Sequence, residues 1–396
     1  MDAVVDDRIT KIDSKGLVAS AQVASGNFSA VNPRLLSRVE NVVGVLNEHA
    51  PASDERRSTI ELQLRKLLAN RLRIAADRHR IPQIAGEAIE RPIFVIGFAR
   101  TGTTLIHSLL VEDPDARAPL WWHTHDPSPP PGEVPVCDAR IEFTAKELDR
   151  FIHKVPGLLT LHPYWDKRGH CLIEDEEIFT LDFQNAYPSL LYDVPNLGLM
   201  LTAADPVEAY AFHKQFLQHL QWNCGDGHWV VKGVYHQFVL KALLEAYPDC
   251  LCIWPHRHPL EVWPSTLAIT AVLYGAISDW SMDFAALGPS FVESIGAQLN
   301  QAIGDPIVDD PRIVHVDFAA LVRDPIAVIR AAYDQWGKPF SRAFEQRMDA
   351  WIGDPSNRPD RYGRYSYALE PFGLTKALIE RSFAPYIERF QLKAAQ

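Results

Sequence analysis

Arg91-Pro92-Ile93-Phe94-Val95-Ile96-Gly97-Phe98-Ala99-Arg100-Thr101-Gly102-Thr103-Thr104 decides how this chain folds. A short apolar run rich in β-branched residues and closed by glycine predicts a buried strand entering a loop. Leu105 to Val111 continue as an apolar helix, so the segment reads strand, glycine loop, helix. The spacing of the loop is glycine, four residues, glycine, then two more, which is the pattern of a phosphate-binding loop. Glycines let successive backbone N–H groups turn toward an anion at a helix N-terminus. Thr101, Thr103 and Thr104 add hydroxyl donors, Arg100 can make charge-assisted bonds, and Gly102 gives the turn its freedom. Thr103 stands where a phosphate-loop NTPase carries lysine, the residue that contacts the β- and γ-phosphates. The loop therefore suits a single phosphate better than ATP hydrolysis or kinase chemistry.

Three further apolar runs follow: Trp229-Val230-Val231-Lys232, Cys250-Leu251-Cys252-Ile253-Trp254, and Arg312-Ile313-Val314-His315-Val316-Asp317. Helical patterns at Phe238 to Tyr247 and Ala320 to Trp336 separate them, which predicts right-handed crossovers and an α/β fold with a mainly parallel central sheet flanked by helices. Upstream, Leu35, Leu36, Val39, Val42 and Val43, then Leu62, Leu64, Leu67 and Leu68, recur at helical spacing. We therefore expect an N-terminal helical segment over 1–90 packed on a domain over 91–396. The stretch from about 140 to 225 has helical character and is expected to cap the sheet. Trp122 to Pro135 is rich in proline and is expected to be a loop over the site. Asp317 reads as a strand-end turn residue.

The chain has 396 residues, 47% of them apolar and 10% aromatic, enough for a large core. Its net charge of −11 argues against a nucleic-acid partner, which needs a basic surface to displace counterions. The five cysteines show no paired metal spacing and read as reduced thiols of a cytoplasmic protein. The acidic start lacks an apolar signal core, and no apolar run approaches the length of about 20 residues that spans a bilayer. An integral membrane segment is not expected, and a homo-oligomer is left open.

Arg257 leaves the third strand and Ser265 lies about two helical turns beyond it. Ligands of open parallel sheets bind past the carboxyl ends of the strands, so this pair can hold a second anion near the first. Two anion sites suggest a nucleotide phosphorylated at both ends. Lys232 ends a strand on the same side, placed either to snorkel at the sheet edge or to face an anion.

These residues resemble the sulfotransferases that use 3′-phosphoadenylyl sulfate (PAPS), in the bacterial branch of that superfamily. Phe94 to Thr104 resembles the family's 5′-phosphosulfate loop, and Arg257 to Ser265 its 3′-phosphate motif. Trp229 to His236 resembles its lysine-bearing strand, although Gly233-Val234 replaces the usual Ser-Pro. Tyr247-Pro248-Asp249, Val314 to Phe318 with Arg323-Asp324-Pro325, and Tyr367 to Leu374 follow in the family's order. The resemblance covers residues 91 to 390. It implies a P-loop-like fold, PAPS as co-substrate with no metal, and transfer of a sulfonate to a hydroxyl of a small-molecule or lipid-like acceptor.

Such a transfer is an in-line displacement at sulfur, needing a base, positive groups near the sulfonate, and exclusion of water. Within the resemblance, Lys232 is placed to stabilise the bridging oxygen of the departing 3′-phosphoadenosine 5′-phosphate (PAP). For the base, His236 and Glu177 are the leading candidates, with Glu176, His123 and His125 also open. Trp121, Trp122, Tyr164, Trp165, Tyr187 and Tyr192 hint at an aromatic-lined acceptor pocket. The rival readings are a phosphate-loop kinase using ATP and magnesium, and a nucleotide-binding protein without turnover.

Overall fold

A computed structural model describes residues 11–49, 53–134, 138–155, 157–184, 205–277 and 282–394. Its sheet contains β1 (Ile93–Ile96), β2 (Ala116–Arg117), β3 (His228–Gly233), β4 (Leu251–His256) and β5 (Ile313–Asp317), ordered β2-β3-β1-β4-β5. Every pairing is parallel, with Val95 facing Lys232 on one side and Ile253 on the other. Four strands lie where the apolar runs predict them. β2 is only two residues long, too short for an alternating pattern to register.

Successive strand side chains point to opposite faces, and β1 divides accordingly. Phe94 and Ile96 pack with Val231, Cys252 and Trp254, while Ile93 and Val95 pack with Val230, Ile253 and Val314. Both faces are covered, which is why the central strands read as unbroken apolar runs. The helical pattern of Ala320 to Trp336 is divided at Pro325, which lacks an N–H; Asp324 caps the second helix by accepting from Ala327 N at 2.9 Å. Asp317 likewise caps the helix after β5, accepting from Ala320 N at 2.9 Å.

The N-terminal residues form α1 (Ser14–Ser25), α2 (Pro33–His49) and α3 (Asp54–Arg80). Leu17, Leu35, Val39, Leu64 and Leu68 close a core of their own, joined from the cap by Phe183. Next to it the buried Asp182 carboxylate accepts from both Arg38 and Arg71 at 2.6 Å. Asp182→Ala would strip the half-buried Arg71 guanidinium of its carboxylate and leave Arg38 with Glu208, and we expect chemical denaturation to show a loss of about 3 kcal/mol.

The segment expected to cap the sheet is helical over Ala139–Lys154, Leu158–Leu161, Asp175–Leu181 and Pro206–Gln221. The proline-rich stretch departs from expectation: Trp121–His125 forms a helical turn and Pro131–Glu133 a 3-10 turn, so it is not all loop, and Pro135 lies outside the described residues. Among the described residues, no helix is long and apolar enough to cross a membrane.

The carboxyl ends of β1, β3 and β4 share one edge of the sheet. They deliver the glycine loop, Lys232 and Arg257 to a common region. The loop leads into α4 (Thr103–Leu110) through Gly102, whose φ is +96°. A Cβ there would also meet Leu321 Cδ2 at 2.6 Å, so both backbone and packing demand glycine.

Candidate active site

A cavity of about 620 Å³ opens at this edge. Arg100, Thr103, Thr104 and His107 reach it from the loop and α4, and Lys232 from β3. Glu174, Glu176 and Glu177 reach it from the cap, while Trp121, Tyr164, Trp165, Phe238 and Trp263 supply aromatic wall. Trp122 instead is buried beside Arg140, and Tyr187 and Tyr192 lie outside the described residues.

Arg100 joins the two predicted anion sites. Its Nε donates to Ser265 Oγ at 2.7 Å, Nη1 to Leu161 O at 2.9 Å and Nη2 to Tyr367 Oη at 3.3 Å. Its own carbonyl accepts from Arg257 Nη1 at 2.9 Å. Arg257 is held further by Glu261 at 3.0 Å and lies 4.1 Å over the Phe318 ring. Arg100, far in sequence from the Arg257–Ser265 pair, thus forms one cluster with it beside the N-terminus of α4. Tyr367 brings the C-terminal segment to the same point. Thr101 is a correction: it is fully buried and its hydroxyl donates to Phe98 O at 2.7 Å, so that hydroxyl braces the loop from within. Thr103 and Thr104 do line the cavity.

Lys232 is buried and ion-paired with Glu174. Burial alone would push the Glu174 carboxyl up, but the Lys232 ammonium outweighs it and holds the group below its usual range. The run Glu174 to Glu177 is not the solvated face that most charge runs form. It makes the N-cap and first turn of a buried helix, where backbone N–H groups and the helix dipole favour negative charge. Each member has its own contacts. Glu176 Oε1 accepts from Tyr235 N at 2.7 Å, and burial with the nearby Glu174 charge raises its pKa to about 7. Glu177 Oε2 accepts from Thr124 Oγ1 at 2.9 Å, and burial raises its pKa to about 8.

The structure does not bring His236 to the cavity. Its ring is fully buried, with Nε2 2.9 Å from Asp175 Oδ2 and Nδ1 2.8 Å from Tyr210 Oη. Both nitrogens are occupied, so it has no free site for an acceptor proton. Gly233, a departure from the family pattern in the sequence, now has a reason: a Cβ there would lie 2.8 Å from His236 Nε2 and 3.1 Å from Glu176 Oε2. His123 and His125 are also structural. His123 Nδ1 accepts from Leu120 N at 2.9 Å, His125 Nδ1 lies 2.9 Å from Trp121 O, and burial lowers both pKa values to about 3.

Three lining histidines escaped the sequence reading: His107, His162 and, at the exposed rim, His170. His107 Nε2 lies 3.2 Å from Val230 O, which fixes the proton on that nitrogen and leaves Nδ1 without a hydrogen-bond partner. His162 Nδ1 likewise has none. Burial and the Lys232 charge lower both pKa values to about 4, so at neutral pH each ring is uncharged. His107 sits within an apolar helical run, where a lone histidine gives no signal.

A model described as the Sulfotransferase family matches residues 92–342. The chain belongs to the sulfotransferase family. The omega-hydroxy-beta-dihydromenaquinone-9 sulfotransferase Stf3 of Mycobacterium bovis is 25% identical over 314 residues, spanning 76% of this chain and 74% of that protein. The crystal structure of sulfotransferase STF9 from Mycobacterium avium superposes with a TM-score of 0.83 at 25% identity, covering 99% of both chains. That of STF1 from Mycobacterium tuberculosis gives 0.78 at 24% identity over 94% of this chain and 99% of that one, a likeness of fold. The sheet and glycine loop are thus the P-loop-like fold of the sulfotransferases, and this chain is an enzyme of sulfonate transfer.

Proposed function

We propose that this sulfotransferase takes its sulfonate from PAPS and delivers it to a hydroxyl of a lipid-like small molecule. One observation carries the reading: the glycine loop, Lys232 and the buried carboxylates all face a single cavity whose remaining wall is largely aromatic and aliphatic. The loop amides, Thr103 and Thr104 suit the 5′-phosphate, and the Arg100–Arg257–Ser265 cluster suits the 3′-phosphate. Lys232 supplies positive charge where the bridging oxygen departs. Glu176 receives the acceptor proton, since its carboxyl sits beside Gly233, the residue after Lys232, and its pKa near 7 suits a base at neutral pH. Glu177, more basic and hydrogen-bonded by Thr124, carries a proton under the same conditions.

A lipid-like acceptor is supported by the wall of Phe238, Trp263, Ile269, Leu273, Phe291 and Ile295. The Mycobacterium bovis relative's name supports it too, since that protein is a sulfotransferase of a hydroxylated dihydromenaquinone.

Calorimetric titration with PAP and, separately, with ATP and magnesium tests the donor. Tight PAP binding without an ATP response is expected, and a preference for ATP would restore the kinase reading. Arg257→Ala should weaken PAP about ten- to a hundredfold, the worth of one charge-assisted hydrogen bond. Adenosine 5′-phosphosulfate, which lacks the 3′-phosphate, should bind the variant as it binds the native protein. Equal weakening of both ligands would overturn the role given to Arg257.

A further inference from the structure

Beneath the cavity lies a cluster of buried titratable groups that the transfer itself does not use. Tyr210, His213 and His236 are fully buried, and Asp175 and Tyr247 are 1% exposed. Tyr210 Oη lies 2.8 Å from His236 Nδ1, and His236 Nε2 lies 2.9 Å from Asp175 Oδ2. His213 Nε2 approaches the same oxygen at 3.1 Å, while its Nδ1 lies 2.7 Å from Tyr247 Oη. The groups therefore form one chain: tyrosine, histidine, aspartate, histidine, tyrosine.

Proton bookkeeping fixes the sense of the His236 arm. Each phenol has one proton to give, and a buried carboxylate needs donors. Tyr210 donates to Nδ1 of His236, which keeps the imidazole proton on Nε2, where it is given to Asp175. Burial works against ionisation of Asp175, but the facing His213 and His236 outweigh it and hold the carboxyl below its usual range.

The chain bears directly on Glu176. The turn Tyr235–Phe238 grips two consecutive residues of the acidic run: Tyr235 N donates to Glu176 at 2.7 Å, and His236 donates to Asp175 at 2.9 Å. His236 Nε2 and Glu176 Oε2 also crowd the same point above Gly233. A ring free to flip its tautomer would lose the Asp175 bond and loosen this grip.

We propose that Tyr210, His236 and Asp175, braced by His213 and Tyr247, act as positioning residues that fix the Glu176 carboxylate at the wall of the cavity that Lys232 also lines. The inference rests on the reading of Glu176 as the base. Glu174, His236 and the Tyr235 amide are the charged, titratable and donor groups around that carboxylate, and Lys232 reaches it through its ion pair with Glu174.

The test compares Tyr210→Phe and Tyr247→Phe with the native enzyme. Both substitutions keep ring volume and remove only a hydroxyl, so either variant serves if the other fails to fold. Tyr210→Phe should lower kcat about ten- to a hundredfold, the cost of a displaced catalytic group. PAP affinity and the acceptor KM should stay within twofold of the native values, and the acid limb of the kcat–pH profile should move to higher pH as the loosened turn withdraws the Tyr235 N–H and His236 contacts that favour the ionised carboxylate. Tyr247→Phe, on the His213 arm and so separated from His236 by His213 and Asp175, should act in the same direction with a smaller effect. An unchanged kcat and pH profile in both, whatever happens to the melting temperature, would reduce the chain to core packing and overturn the proposal. Glu176→Gln, measured in parallel, separates the two readings. If it is inactive while Tyr210→Phe is unaffected, only the positioning role fails. If it is active, the base assignment fails and the proposed link to Glu176 fails with it.

Discussion

Lys232→Ala should lower kcat by about a thousandfold, or about 4 kcal/mol of transition-state stabilisation. The size follows from the setting. Lys232 is 5% exposed at the end of β3, and its ammonium faces the cavity that receives the glycine loop. In so dry a site a fixed charge near a departing oxygen is worth far more than in water. PAP affinity should change little by comparison, because the 3′-phosphate cluster and the loop amides are untouched. The substitution also strips Glu174 of its ion-pair partner, and a carboxyl buried alone takes up a proton. The double variant Lys232→Ala with Glu174→Gln removes that complication and should be as slow as the single one. Single-turnover transfer within tenfold of the native rate would remove Lys232 from the chemistry.

The sequence exposed this architecture unevenly, for physical reasons. β1, β3 and β4 are buried along their whole length and β5 at Ile313, Val314 and Val316, so their apolar runs stand out; β2 is two residues long and leaves no pattern. The glycine loop is legible because its backbone requires particular residues, as Gly102 does at φ +96°. The Arg257–Ser265 motif could be linked to the loop by strand-end logic, yet only the fold shows Arg100 bonded to Ser265 itself. The acidic run is legible only in part: Glu176 and Glu177 stand as base candidates, but the sequence does not tell that helix Asp175–Leu181 packs its first turn inward and gives each acid a different partner. Histidines misled. His236, four residues from Lys232, looked reactive and is locked between Asp175 and Tyr210, whereas His107 was invisible within an apolar helix and faces the cavity. No linear pattern records which ring nitrogen is occupied.

Glu176→Gln is expected to abolish most of the transfer, with kcat falling about 10²- to 10⁴-fold, the range of general-base catalysis. The amide keeps the acceptor oxygen that Tyr235 N requires, so the fold and PAP binding should survive. The native pH profile gives the finer test. A base works only when ionised, and the Glu176 pKa is raised to about 7 by burial and by the Glu174 charge. Below that pH the carboxyl holds its proton and kcat falls; above it the carboxylate forms and kcat levels off. Glu177, raised to about 8, would put the limb higher, and Glu177→Gln would then erase it. A limb near 7 that vanishes in Glu176→Gln and persists in Glu177→Gln assigns the proton to Glu176. A limb near 8 that vanishes only in Glu177→Gln moves the base one residue along the same helix and leaves the role of Lys232 unchanged.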